Sequence, residues 1–277
     1  MTHILITNDD GVFHPGLLAL VEAVRGIPGV EYSIVAPHRN WSASGHVKTL
    51  HRPLRVWEVR LTDGTQALAS DGAPSDCVAL ALLGLLEKPV DLVVSGINPM
   101  ANLGYDVSYS GTVTAAMEAA ISGILGVAFS LHSPEDLSGS PDYRAAIVVA
   151  RRVIQQVLEH REDLPAGIYL NVNIPYGPLE NIKGVQVTRM GLRVYRDRLE
   201  RREDPRGIPY YWIGGEAPTG IPEPGTDIGA VTQGYVSITP LHLDFTAYSV
   251  IPTMHTWPWT QVLQGPSDEG KGPQAET

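Results

Sequence analysis

Four short apolar runs constrain this chain most: Ile4-Leu5-Ile6, Tyr32 to Ala36, Val90 to Val94 and Val127 to Ser130. Each is too short for a buried helix, and segments whose apolar residues recur at helical spacing lie between and after them. After the first run, Pro15 opens a segment with Leu17, Leu20, Val21 and Val24 on one face, closed by Gly26 and Gly29. Helices are likewise predicted over Cys77 to Leu86, Val113 to Ile121 and Tyr143 to His160, the last with Ile147, Ala150, Ile154 and Leu158 on one side. Regular alternation of strand and helix predicts an α/β fold with a doubly wound, mostly parallel sheet. Cys77 to Leu86 is apolar almost all round, which predicts a core helix covered on both sides, with Cys77 packed and not nucleophilic.

Two stretches break the alternation. Leu54, Val56, Val59 and Leu61 suggest a β excursion between residues 47 and 70. From Ile168 onward the chain becomes extended and β-rich, with strands predicted at Tyr169 to Ile174, Tyr210 to Ile213 and Tyr235 to Ile238. The expected organisation is a catalytic core over 1–135, then a helix and an extended β segment suited to oligomerisation over 136–255. A disordered tail is expected over 256–277.

Charge narrows the partners. A formal net charge of −10 argues against a nucleic-acid polymer or an anionic membrane surface, both of which are held by lysine and arginine. Between Arg189 and Arg206, seven arginines face four acids, a local reversal best read as a solvated arm. The apolar window Val78 to Leu86 falls far short of the ~20 residues a membrane helix needs. A single cysteine, Cys77, excludes an internal disulfide framework and suits a reducing compartment, so a cytoplasmic location is expected.

Polar residues collect where the predicted parallel strands end, the edge at which open α/β sheets bind ligands. The first strand runs into Asn8-Asp9-Asp10-Gly11, and the second into a hydroxyl-rich loop, His38 to His46, that includes Ser42. The third ends in Ser95-Gly96-Ile97-Asn98, and Ser110-Gly111-Thr112 then opens a helix. Adjacent carboxylates repel unless a cation, a basic side chain or water neutralises them. Hard oxygen ligands from separate loops fit Mg²⁺, Mn²⁺ or Ca²⁺ better than a structural zinc. Hydroxyls and a glycine at a helix N-terminus make an anion site, although Ser110 or Thr112 taken alone also suits a plain N-cap.

Thr7-Asn8-Asp9-Asp10-Gly11, Ala36-Pro37 with Ser42 to Gly45, Pro74 with Asp76-Cys77-Val78, Ser95-Gly96-Ile97-Asn98 and Ser110-Gly111-Thr112-Val113 resemble, in order and spacing, the SurE family of survival-protein nucleotidases. The resemblance covers most of the chain and weakens over residues 50–68 and after 245. It implies a Rossmann-like core, a dimeric or tetrameric assembly, and metal-dependent hydrolysis of nucleoside monophosphates. Action on 3′-phosphates and polyphosphate is a further possibility of the family. By position it implies Asp9, Asp10, Ser42 and Asn98 as ligands of one divalent ion per subunit, Mn²⁺ or Mg²⁺. Asn102, Ser110, Gly111 and Thr112 would hold the phosphate. Asp9 and Asp10 would be catalytic, with Asp10 either a ligand or the nucleophile, and His46 is a candidate acid for the leaving alcohol. The chain departs from the family at Gly72-Ala73-Pro74, where Gly-Thr-Pro is usual, and at Pro99-Met100-Ala101 before Asn102.

Competing readings make specific demands. A phospho-receiver module needs an aspartate after the third strand, where this chain has Asn98. A haloacid-dehalogenase-type phosphatase needs two aspartates separated by one residue, and Asp9 and Asp10 are adjacent. A non-catalytic nucleotide- or metal-binding module of the same fold stays open, because binding and turnover use the same groups.

Overall fold

The computed structural model describes residues 1–134 and 136–263. In chain order the strands are β1 (Thr2–Thr7), β2 (Val30–Pro37), β3 (Val56–Arg60), β4 (Gln66–Ser70), β5 (Leu92–Asn98), β6 (Gly126–His132), β7 (Ile168–Pro175), β8 (Val185–Val187), β9 (Arg193–Glu203), β10 (Pro209–Gly220) and β11 (Val236–His242). The helices are α1 (Pro15–Arg25), α2 (Pro74–Leu80), α3 (Gly111–Ile121), α4 (Arg144–His160), α5 (Asp227–Thr232) and α6 (Ile251–His255).

Nine strands form one sheet in the order β3-β4-β2-β1-β5-β6-β7-β11-β8. Strands β4, β2, β1, β5, β6 and β7 are mutually parallel; β3 pairs antiparallel at one end and β11 antiparallel to β7 at the other. The alternation of side chains along β1 sorts the two faces. Ile4 and Ile6 pack with α1 residues such as Leu17 and Leu20 and with Ile154 of α4, whereas Leu5 packs with Cys77 and Val78 of α2 and Ala115 and Ala119 of α3. This is the doubly wound arrangement expected, and it sends the ends of β1, β2 and β5 to one rim.

Several details depart from the sequence expectation. The apolar segment Cys77 to Leu86 is not a helix covered on both sides: after α2 it continues as a π turn, Ala81–Leu85, and Leu83 is 83% exposed. Gly84 breaks the helical path at φ 120°, a conformation that costs glycine little, and the chain turns outward there. The β excursion is a hairpin, β3 with β4, whose second strand joins the main sheet beside β2. Short helix α5 interrupts the extended C-terminal part. Strands β6 and β7 pair from Gly126↔Tyr169 to His132↔Pro175, so the main sheet continues into the segment after α4. Met1–Leu243 forms one compact unit, and the described residues from Asp244 form a second.

Within the first unit, β9 and β10 make a separate two-stranded antiparallel ribbon. Its arginines beyond Arg193 are exposed, as a solvated arm requires. The second unit contains α6 and a 3₁₀ turn, Trp259–Val262, with the Trp257 and Trp259 rings 5.3 Å apart. Part of the expected tail is therefore ordered into turns, while residues 264–277 lie outside the described residues.

Candidate active site

Asp9 and Asp10 leave the end of β1 in different directions. Asp9 is 3% exposed and aimed at the start of α3. Its Oδ1 accepts the Thr112 hydroxyl at 2.5 Å, and its Oδ2 accepts the Thr112 N–H at 3.1 Å. So close an approach requires glycine at 111, since a Cβ there would lie 2.7 Å from the Asp9 Cβ. Burial raises the Asp9 pKa, against the opposing effect of hydrogen bonds from Thr112 and Gly111.

Asp10 has weaker support. Its side chain is 7% exposed, its Oδ1 receives a long contact of 3.4 Å from the Asn40 amide, and its Oδ2 is buried without a hydrogen-bond partner. Burial, then the neighbouring charge of Asp9, pushes its pKa from 3.8 up to about 7. The nearest basic nitrogen is His14 Nδ1, 3.6 Å away. That nitrogen caps α1 by accepting the Gly16 N–H, and burial lowers the His14 pKa, so the ring is a poor counter-charge. The Tyr143 hydroxyl, at the start of α4, is also buried and unpartnered, with a pKa raised by burial and then by the charge of Asp10.

The loop after β2 closes over this turn. Trp41 N–H donates to the Asp9 carbonyl at 2.7 Å, and Val12 N–H to the Pro37 carbonyl at 2.7 Å. Asn40 bridges the predicted ligands, its amide reaching Asp10 and its Oδ1 accepting the Ser42 N–H at 2.7 Å. Ser42 itself is exposed. Asn98 ends β5, the parallel neighbour of β1, with its amide turned to the Met100 carbonyl.

The predicted phosphate residues divide. Ser110 caps α3, its Oγ accepting the Val113 N–H at 3.1 Å, and the Thr112 hydroxyl is committed to Asp9. Asn102 lies inward, its N–H donating to Asn173 Oδ1 and its amide to Ser130 Oγ, both at 2.8 Å. His46 Nε2 lies 2.8 Å from the Glu118 carboxylate of α3, which also pairs with Lys48 at 2.9 Å. Burial would raise the Glu118 pKa, but these two partners hold it below the ordinary value. His14, Asn40 and Tyr143 escape a reading of the sequence. The first and last stand at helix starts that follow strands β1 and β6, which is the positional signal that points to them.

Buried oxygens without partners gather here: Thr7 Oγ1, Asn8 Oδ1, Asp10 Oδ2 and Ser95 Oγ. Unsatisfied hard acceptors beside two carboxylates fit a divalent cation by donor chemistry.

A family model described as "Survival protein SurE" matches residues 4–197. The chain belongs to the SurE family. It is 51% identical over 257 residues to the 5′-nucleotidase SurE of Chloroflexus aggregans, covering 93% of this chain and 99% of that protein. Identity to the 5′-nucleotidase SurE of Herpetosiphon aurantiacus is 52%, with 93% and 98% covered. The crystal structure of the SurE protein from Aquifex aeolicus superposes with a TM-score of 0.75 at 42% identity, covering 91% of this chain and 98% of that one.

Proposed function

We propose that this member of the SurE family is a divalent-metal-dependent 5′-nucleotidase that hydrolyses nucleoside monophosphates to nucleoside and phosphate, with Asp9 and Asp10 at its catalytic centre. The observation that carries the reading is the buried carboxylate pair after β1, one member of which is bonded to the start of α3 and the other of which has an oxygen with no hydrogen-bond partner. Relatives with near-complete coverage and 51–52% identity bear the name 5′-nucleotidase.

Asp9, Asp10, Ser42 and Asn98 would hold one Mn²⁺ or Mg²⁺ ion. When bound, the ion supplies positive charge that offsets repulsion between the phosphate and the carboxylates and stabilises the phosphoryl oxygens as the ester bond breaks. The chain's own residues set the stage. Thr112 fixes the Asp9 carboxylate through two hydrogen bonds, so its charge does not reorient during turnover. Asp10 keeps one oxygen uncommitted for a ligand, base or nucleophile role. Ser110, Gly111 and Thr112 would line the phosphate site at the start of α3, where the Gly111 and Thr112 N–H groups bond Asp9, with Asn102 bracing the preceding loop. For the leaving alcohol, the Nε2 of His46 is occupied by Glu118, which leaves Nδ1 as the nitrogen to offer.

Phosphate release from nucleoside monophosphates by metal-stripped protein, with one cation restored at a time, tests this. Chelation is expected to abolish release and Mn²⁺ or Mg²⁺ to restore it; full activity without metal would refute the metal requirement.

Assembly as a homodimer or homotetramer in the cytoplasm belongs to the same reading. On the ribbon Leu199 is 66%, Trp212 60% and Ile213 83% exposed, a concentration of apolar surface that another subunit would cover. A stable monomer in sedimentation at micromolar concentration would refute it.

A further inference from the structure

The loop that delivers Ser110 to the site hangs from the root of the ribbon. It enters as a 3₁₀ turn, Gly104–Ser108, and the backbone carbonyl of Asp106 in that turn accepts the N–H groups of Tyr109 at 3.0 Å and Ser110 at 3.1 Å. The position of Asp106 therefore sets the position of the α3 cap. Its carboxylate in turn is held from the first strand of the ribbon: Tyr195 Oη donates to Oδ1 at 2.7 Å, and Arg193 is ion-paired with it, Nε lying 2.7 Å from Oδ2 without the alignment of a hydrogen bond. That ion pair is largely shielded, at 17% and 19% side-chain exposure, so water weakens it less than it does the exposed arginine pairs farther along β9.

A second tie runs parallel. Asp227, fully buried, accepts the Gly104 N–H on Oδ2 at 2.8 Å and the Gly191 N–H on Oδ1 at 2.7 Å. One carboxylate thus joins the first residue of the turn to the residue two before the ribbon. The two backbones meet closely, because a Cβ on Gly104 would lie 2.5 Å from the Gly191 carbonyl oxygen. Gly104 also adopts φ +53°, where side chains are disfavoured. One buried carboxylate and a close backbone approach thus tie the turn to the ribbon root.

We infer that Arg193 and Tyr195 are positioning residues for the nucleotidase reaction: through Asp106 they hold the turn that places Ser110 and the start of α3 against the phosphate. The inference rests on the reading that Ser110 to Thr112 binds phosphate, and it extends that reading to two residues of the ribbon's first strand. A misplaced helix start should weaken phosphate binding without altering the cation's carboxylates.

The test uses the full chain loaded with Mn²⁺, comparing wild type with Arg193→Ala, Arg193→Lys and Tyr195→Phe. For Arg193→Ala, KM for a nucleoside monophosphate and the inhibition constant for inorganic phosphate should both rise about tenfold, the scale of a small loss of registration. Its kcat should change far less and its Mn²⁺ affinity not at all. Arg193→Lys keeps the charge and should recover part of the loss. Tyr195→Phe removes one hydroxyl and keeps the ion pair, so it should shift both constants about twofold in the same direction. It serves as the deciding variant if Arg193→Ala fails to fold. Unchanged KM and phosphate inhibition in folded variants of an active enzyme would overturn the inference alone. A wild-type protein that releases no phosphate would overturn the nucleotidase reading and this inference with it.

Discussion

Two pairs of carboxylates, each near a helix start or a turn, are built in opposite ways. At the ribbon root, Asp227 has both oxygens hydrogen-bonded by backbone N–H groups, and Asp106 accepts a hydrogen bond from Tyr195 and is ion-paired with Arg193. At the end of β1, Asp9 is tied to Thr112 but Asp10 keeps a buried oxygen with no partner. A carboxylate whose lone pairs are all satisfied is a structural joint. One that is buried and left short is held there by the rest of the fold, and its unmet demand is what a cation or substrate can satisfy.

The same isosteric change should therefore have opposite consequences in the two regions. Asp10→Asn is expected to lower turnover at saturating Mn²⁺ by at least ~10²-fold, the scale of losing a key electrostatic group. In metal-free protein it should leave stability unchanged or raised, because the lost charge was buried beside Asp9. The pH dependence follows from the same group. Its folded pKa of about 7 lies above the ordinary 3.8, so the folded state binds the proton more tightly than the unfolded state does. Its contribution favours folding at low pH and is lost progressively as pH rises from about 4 to about 7. Chemical denaturation of metal-free wild type across that interval should show this loss, and Asp10→Asn should flatten it. An equal slope in both proteins would break the contrast.

Asp227→Asn should do the reverse. The amide cannot accept with both positions, so one of the Gly104, Gly191 and Ile228 N–H groups now bonded to the carboxylate would lose its acceptor or face a donor. A destabilisation of about 2 kcal/mol is expected, the usual penalty for an unsatisfied buried group. Denaturant titration of the metal-free variant measures it. A variant as stable as wild type would show that Asp227 is not the joint its geometry describes.

Much of this arrangement is legible in the amino-acid sequence. The short apolar runs locate β1, β2, β5 and β6, and their polar ends locate the rim, because strand length and alternation with helices are properties of the local sequence. Asp9 and Asp10 stand out for the same reason. Strand β4 does not: Gln66–Ser70 is rich in alanine, and its place beside β2 comes from pairing. The exposure of Leu83 is hidden because hydropathy does not report the φ 120° turn at Gly84. Least legible is the division of labour within the site. Nothing local says that the Thr112 hydroxyl belongs to Asp9, 103 residues away, or that Asp227 reaches Gly104, 123 residues away. Such partners are chosen by topology.

The central claim, that Asp9 and Asp10 hold the catalytic cation, is tested most directly by titrating Mn²⁺ into metal-stripped protein in a calorimeter. Wild type should bind one ion per chain, and both Asp9→Asn and Asp10→Asn should weaken that binding severely while remaining folded. Undiminished Mn²⁺ affinity in both variants would contradict the account, and the unpartnered oxygen of Asp10 would then be nothing more than a defect of the turn.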